Sequence, residues 1–180
     1  FSPRFQAWFE TIGEPQVRYN GLRLATDIAF HPSHSWARLL PKGAVVGADD
    51  LVQFALGPVD SIELPSIGSR VEQGQRLFAL RRGNRRVDVR APVSGTVVSR
   101  NDALLASPEL VNERPFTDGW AVRIRPDHVR EDRRKLFQGS QAKGWFRGEI
   151  DRLLSTVLSK DAVAPALPDG GEFVGDLHEH

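Results

Sequence analysis

Apolar positions along the chain change period more than once, and the changes divide it into four stretches. In residues 1–16, Phe5, Trp8, Phe9 and Ile12 recur at helical spacing behind Ser2-Pro3, a cap and first-turn proline. Gly13-Glu14-Pro15 closes that segment, so the pattern predicts an N-terminal helix. Residues 17–137 carry short apolar runs broken by Pro, Gly, Asn and Asp, which predicts a β-rich body. Within it, Ile62-Glu63-Leu64-Pro65-Ser66-Ile67-Gly68 and Val89-Arg90-Ala91-Pro92-Val93-Ser94-Gly95 echo one another. Each reads as a strand stopped by proline and followed by a turn glycine, as if two similar halves fold against each other. Single helical turns are expected at Asp50–Ala55 and Pro108–Val111, and a short helix near Arg130–Phe137. Residues 138–160 return to helical spacing: Ser140 is a reasonable N-cap, and Phe146, Ile150, Leu153, Val157 and Leu158 share one stripe. Residues 161–180 are Ala, Pro, Gly and acids with scattered apolars, the composition of a solvated tail.

Bulk composition narrows the function classes. A net charge of +1 exerts no global pull toward nucleic acid or a membrane surface. No apolar run approaches the roughly 20 residues of a membrane span, and no stretch has the charged–apolar–small order of a signal peptide, so a cytoplasmic location is expected. The absence of cysteine removes disulfides, thiolate metal sites and cysteine nucleophiles together. The chain starts at Phe1 and holds no methionine, which reads as a processed or trimmed product.

Four blocks of the β body carry a resemblance: His34-Ser35-Trp36-Ala37-Arg38; Ala55 through Pro65, reading Ala-Leu-Gly-Pro-Val-Asp-Ser-Ile-Glu-Leu-Pro; Ala91-Pro92-Val93-Ser94-Gly95-Thr96-Val97; and Asn101 to Trp120, which contains Pro108-Glu109-Leu110-Val111-Asn112-Glu113. The last is the most specific, because periodicity does not generate a long irregular string. Together they resemble the glycine cleavage H protein, the lipoyl carrier of glycine decarboxylation, over about residues 22–137. The resemblance implies a mainly β, lipoyl/biotinyl-type sandwich (a barrel-sandwich hybrid), here with an N-terminal helix and a C-terminal helical extension outside the family pattern. Gly57, Gly68, Gly74 and Gly95 then sit where tight turns require φ > 0 or close backbone approach, and Trp36 and Trp120 read as core plugs.

The family places Glu-Ser-Val-Lys-Ala ahead of the Ala-Pro-Val-Ser-Gly block and lipoylates that lysine. Counting back from Ala91 puts Asn84 at the lysine position, Arg81 at the glutamate and Gly83 at the residue before the lysine, while Asp88 is retained. There is no lysine between Lys42 and Lys135, so no register restores one. Lipoylation forms an amide on a primary amine; a carboxamide is not nucleophilic, and a guanidinium stays protonated. The chain is therefore expected to carry no lipoate and to need no cofactor. Around Asn84, Arg81, Arg82, Arg85, Arg86 and Arg90 set five positive charges against Asp88. Arginine offers bidentate donation to carboxylate or phosphate, so the hairpin is a candidate dock for an acidic protein surface or a phosphate-bearing partner. The other reading is a solvated hairpin that drifted once the lysine was lost.

Little else points to chemistry. His31-Pro32-Ser33-His34 has a metal-like spacing without an accompanying carboxylate or cysteine cluster, and His178-Glu179-His180 sits at the chain end. Ser33, Ser35 and Ser94 lack a nucleophile-elbow context, and Glu109, Glu113 and Asp118 form no marked acid/base pair, so no metal site and no enzymatic activity are expected. The helix over residues 140–158 either packs back on the body or the N-terminal helix, or docks a partner. The function these readings imply is a non-lipoylated, H-protein-like binding or scaffold module. The alternative is a carrier in a glycine-cleavage-like, one-carbon or acyl-transfer system.

Overall fold

The computed structural model describes residues 16–161; the expected N-terminal helix and the tail beyond Asp161 lie outside the described residues. Eleven strands and five helices follow one another along that span. Strands β1 (Gln16–Tyr19) and β2 (Leu22–Ala25) form a hairpin by themselves. A six-stranded sheet joins, in order, β3 (Ala29–Phe30), β4 (Ser35–Leu40), β5 (Gly43–Ala48), β11 (Val122–Pro126), β10 (Gly95–Arg100) and β7 (Arg70–Val71). A three-stranded sheet pairs β6 (Ser61–Glu63) and β9 (Arg85–Arg90) with a central β8 (Arg76–Arg82). The helices are α1 (Asp50–Leu56), α2 (Ala103–Ala106), α3 (Leu110–Glu113), α4 (Val129–Arg133) and α5 (Gly139–Asp161).

The two echoing segments do the same thing in space. Each leaves the three-stranded sheet, as β6 or β9, and crosses to the six-stranded one, as β7 or β10. The two crossings then pair antiparallel through Gly95↔Val71 and Thr96↔Arg70. The amide of Gly68 donates to Val97 O at 2.7 Å, extending that pairing. Gly57, Gly68, Gly74 and Gly95 all take positive φ, as expected of the turns. Apolar alternation on β5, β8, β10 and β11 then fills the space between the sheets, with Val46, Leu80, Val89, Val93, Val97, Val122 and Ile124 in one buried cluster.

A second cluster holds the other end of the body to α5. Trp36 is fully buried there, its Nε1–H shared between Ala48 O at 3.0 Å and Pro115 O at 3.1 Å. Its ring lies over Gly47, where an added Cβ would come within 2.6 Å of it, so the close approach requires glycine. Trp120 is only half-buried at the edge of this cluster. The irregular string from Asn101 to Trp120 is held by its own polar side chains. Asn101 Nδ2 donates to the carbonyls of Asp118 and Trp120, both at 2.8 Å, while Asn112 accepts from Val59 N at 2.9 Å and donates to Gly57 O at 3.2 Å.

Three expectations change. The turn at Asp50–Ala55 is a seven-residue helix running to Leu56, capped by Asp49, whose side chain accepts from Leu51 N and Val52 N. The turn expected at Pro108–Val111 lies two residues later, at Leu110–Glu113, and a further four-residue turn at Ala103–Ala106 precedes it. The helix expected over Arg130–Phe137 stops at Arg133, because Phe137 exchanges both backbone hydrogen bonds with Phe30 (2.8 and 2.9 Å) and so covers the open edge of β3. In α5, Phe146 and Ile150 are buried on the body, whereas Val157 and Leu158 stand 46% and 68% exposed. Leu153 packs at the edge of the same cluster, so among the described residues the apolar stripe meets the body as far as Leu153.

Candidate functional site

β8 and β9 form a hairpin with register Leu80↔Val87, Arg81↔Arg86 and Arg82↔Arg85, leaving Gly83-Asn84 as a two-residue turn. Of those two, only Gly83 takes positive φ, at 54°, the sign pattern of a type II′ turn. Asn84 is exposed at the tip. The preceding chain clamps this turn: Asp60 Oδ2 accepts from Gly83 N at 2.7 Å, and Asp60 N donates to Arg81 O at 2.8 Å. Sequence reading missed Asp60, because its role depends on β6 lying beside β8.

Strand alternation divides the arginines between two faces of the hairpin. Arg81, Arg86 and Asp88 share one face of the hairpin, over the buried Ala79, and β6 brings Glu63 opposite Ala79 there. Glu63 pairs with Arg81 at 2.5 Å, Arg76 at 2.9 Å and Arg86 at 3.2 Å, while Asp88 takes Arg86 at 3.1 Å and Arg76 at 3.3 Å. The Arg81 hydrogen bond holds the Glu63 carboxyl below its usual value; desolvation opposes it, and the charges of Arg81, Arg86 and Arg76 add to the lowering. Cross-strand repulsion between Arg81 and Arg86 is thus relieved by a carboxylate from a third strand.

Arg82 and Arg85 lie on the other face, past the end of the core, and reach the C-terminus of α1. Arg85 donates to Ala55 O at 2.8 Å and to Leu56 O at 3.4 Å, and Arg82 donates to Leu56 O at 3.3 Å. Cationic donors on the last carbonyls of a helix complement its partial negative charge. Gly57 makes room for this contact, since a Cβ there would come within 1.9 Å of Arg82 Nη1. Arg90, at the far end of β9, donates to Gly74 O at 2.9 Å. Among the described residues no carboxylate pairs with Arg82, Arg85 or Arg90. Two unneutralised guanidinium groups therefore flank Asn84, with the Asp60 carboxylate engaged on the turn amide between them.

The paired histidines are committed elsewhere. His31 Nδ1 lies 2.6 Å from Ser33 Oγ and accepts from Ser33 N at 3.1 Å. Burial, then the charges of Arg90, His34 and Lys135, push its pKa down. His34 is held between Asp49 and Glu149. Among the described residues no group of three or more His, Asp or Glu could hold a metal ion. No helix of the described residues is long and apolar enough to cross a membrane.

Lipoate is the group this hairpin would present in the family, and the residues here do not fit it. The tip offers a carboxamide and guanidinium groups where amide formation needs a free amine.

Comparison with known proteins accounts for the scaffold. The glycine cleavage H-protein profile matches residues 28–148, taking in the first turns of α5 that the sequence pattern alone leaves outside. The glycine cleavage system H protein of Saccharophagus degradans is 38% identical over 109 residues, which are 60% of this chain and 84% of that protein. That of Nitratidesulfovibrio vulgaris (strain Miyazaki F) is 34% identical over 104 residues, 58% of this chain and 82% of the relative. The crystal structure of a glycine cleavage system H protein from Mycobacterium marinum superposes with a TM-score of 0.54 at 25% identity, covering 57% of this chain and 86% of that one. With the profile matched across two thirds of its length, and with the two crossing segments and their shared hairpin in place, the chain belongs to the glycine cleavage H-protein family.

Proposed function

We propose that this chain is an H-protein-type module that carries no lipoate and acts by binding a partner rather than by transporting a group. One observation carries the reading: the clamped tip of the family hairpin presents Asn84, and no lysine occurs between Lys42 and Lys135. The test is intact-mass measurement after co-expression with a lipoyl ligase and free lipoate. The wild-type chain gains no mass, and Asn84→Lys gains one lipoyl group. A wild-type mass gain of one lipoyl group sinks the proposal. Modification of the variant alone is the outcome that leaves scaffold and loss of function side by side.

The binding surface is the inner face of the tip, where Arg82, Arg85 and Asn84 stand together. Arg81 and Arg86 are spent on Glu63 and Asp88. Among the described residues Arg82 and Arg85 hydrogen-bond to carbonyls and to no carboxylate, so their positive charge remains available to an acidic protein surface or a phosphate-bearing ligand. Arg90, neutralised by no described carboxylate, extends the same positive character along β9. Binding through this surface weakens with added salt, and reversing both charges (Arg82→Glu with Arg85→Glu) removes it.

A second reading follows from the relatives, which are named as H proteins of the glycine cleavage system: a carrier in that system or a similar one-carbon or acyl transfer. It requires an attachment residue other than lysine at the tip, and the same mass measurement decides between the two.

A further inference from the structure

His34 stands in the β3–β4 turn with φ of 66°, a left-handed conformation that Asn, Asp and His enter more readily than most residues. Its two ring nitrogens meet carboxylates from two different elements. Nδ1 lies 2.9 Å from Asp49 Oδ2, and Nε2 lies 3.5 Å from Glu149 Oε2. Asp49 is fully buried as the N-cap of α1, its other oxygen taking Leu51 N and Val52 N, and its own amide donates to His34 O at 3.0 Å. Glu149 is on α5. One turn earlier on the same helix face, Trp145 stacks on the imidazole (5.1 Å between centroids, 26° between planes) and on Phe137 (4.9 Å, 16°).

A neutral imidazole has a single N–H. Between two carboxylates it can donate to one and must turn a lone pair toward the other. Only the imidazolium donates to both. The protonated ring also gains from lying on an indole face. The arrangement is complementary to the charged histidine, and the geometry alone says so.

The surrounding charges agree. Burial by itself would lower the pKa of His34, but the hydrogen bond and charge of Asp49, then those of Glu149, outweigh it and raise the value above 6.5. Glu149 shares its other oxygen with Arg152 at 2.8 Å. His31, in the same turn, is shifted the other way by burial and by Arg90, His34 and Lys135, so it stays neutral while His34 titrates.

We propose that His34 is a proton-operated latch that fastens the first half of α5 to the β body through Asp49 and Glu149. Protonated, it bridges the two elements; deprotonated, it keeps Asp49 and lets go of Glu149. Phe146 and Ile150 remain buried and Phe137 remains paired with Phe30, so release makes the helix open more often without detaching it. The sign follows from linkage. A group whose folded-state pKa is raised contributes stability in full below the unfolded value of about 6.5 and loses it as pH rises through the folded value.

The experiment is an NMR titration of the full chain, following the His34 ring together with hydrogen exchange of the α5 amides, corrected for intrinsic exchange. Protection of the amides from Ala142 to Arg152 falls about two- to fivefold as pH rises through the His34 midpoint, the size of a partly exposed ion pair, while β4 and β5 keep theirs. Glu149→Gln, which removes the charge and keeps the side chain's shape, lowers the His34 midpoint by about half a pH unit and flattens the exchange profile. His34→Asn keeps a residue suited to left-handed backbone and abolishes the dependence. The proposal is overturned if α5 protection follows that of the strands at every pH, or if Glu149→Gln leaves the His34 midpoint where it was.

Discussion

Asp50 offers the sharpest test of how the hairpin tip is supported. Its carboxylate accepts from Arg23 N at 2.7 Å, Arg23 Nε at 3.0 Å and Arg23 Nη2 at 2.9 Å, and it also takes the side-chain amide of Gln53. Arg23 in turn donates to Asn112 O at 2.5 Å and Glu113 O at 2.7 Å, so one ion pair ties β2 to α1 and α3. Removing the carboxylate with Asp50→Ala leaves a guanidinium without its counter-charge in a nearly closed site, which costs about 3–5 kcal/mol for a fully buried pair. The Arg23 side chain is 20% exposed and can recruit water, which places the expected loss near the lower end, about 3 kcal/mol. For a chain of this size each kcal/mol moves Tm by about 2–4 °C, so thermal unfolding followed by circular dichroism should fall by about 6–12 °C. Because α1 carries the carbonyls that Arg82 and Arg85 grip, the tip should also lose order, visible as faster exchange at Arg85. The double variant Arg23→Ala with Asp50→Ala should cost clearly less than the sum of the single changes, by about 1 kcal/mol or more. A drop of less than about 2 °C for Asp50→Ala, or strict additivity in the cycle, refutes this account of the support.

Two further outcomes can be checked. Phe146→Ala removes a fully buried ring that packs on Tyr19 and Trp145, and it should cost about 3–5 kcal/mol in chemical denaturation, with α5 losing exchange protection first; a cost under about 1 kcal/mol would mean the helix is not part of the cooperative fold. The lowered pKa of Glu63 makes its contribution present above the unfolded value of about 4.5 and lost as pH falls through the folded value, so acid unfolding of wild type should be steeper than that of Glu63→Gln below pH about 4.5, and equal slopes would contradict the network.

Much of the architecture was legible because it is written in short-range signals. Short apolar runs with Gly/Pro punctuation mark the β body and its two echoing segments, and helical spacing marks α5 to within a residue of its start. The family blocks then place Asn84 at the position of the absent lysine, a conclusion about chemistry that needs no coordinates. What the sequence could not assign is which distant groups meet. Glu63 neutralises Arg81 and Arg86 only because β6 pairs with β8, and the five arginines part into a neutralised outer pair, a helix-capping inner pair and Arg90 only because the register is Arg82↔Arg85. Phe137 leaves its expected helix because a strand edge 107 residues earlier in the chain needs a partner. His34, assigned to the family block, also receives a carboxylate from a helix more than 100 residues later. Local sequence fixes periods, caps and turns, since those depend on neighbouring dihedrals and side chains. Counter-charges and latches depend on which surfaces meet after the loops between them close, and only the tertiary fold decides that.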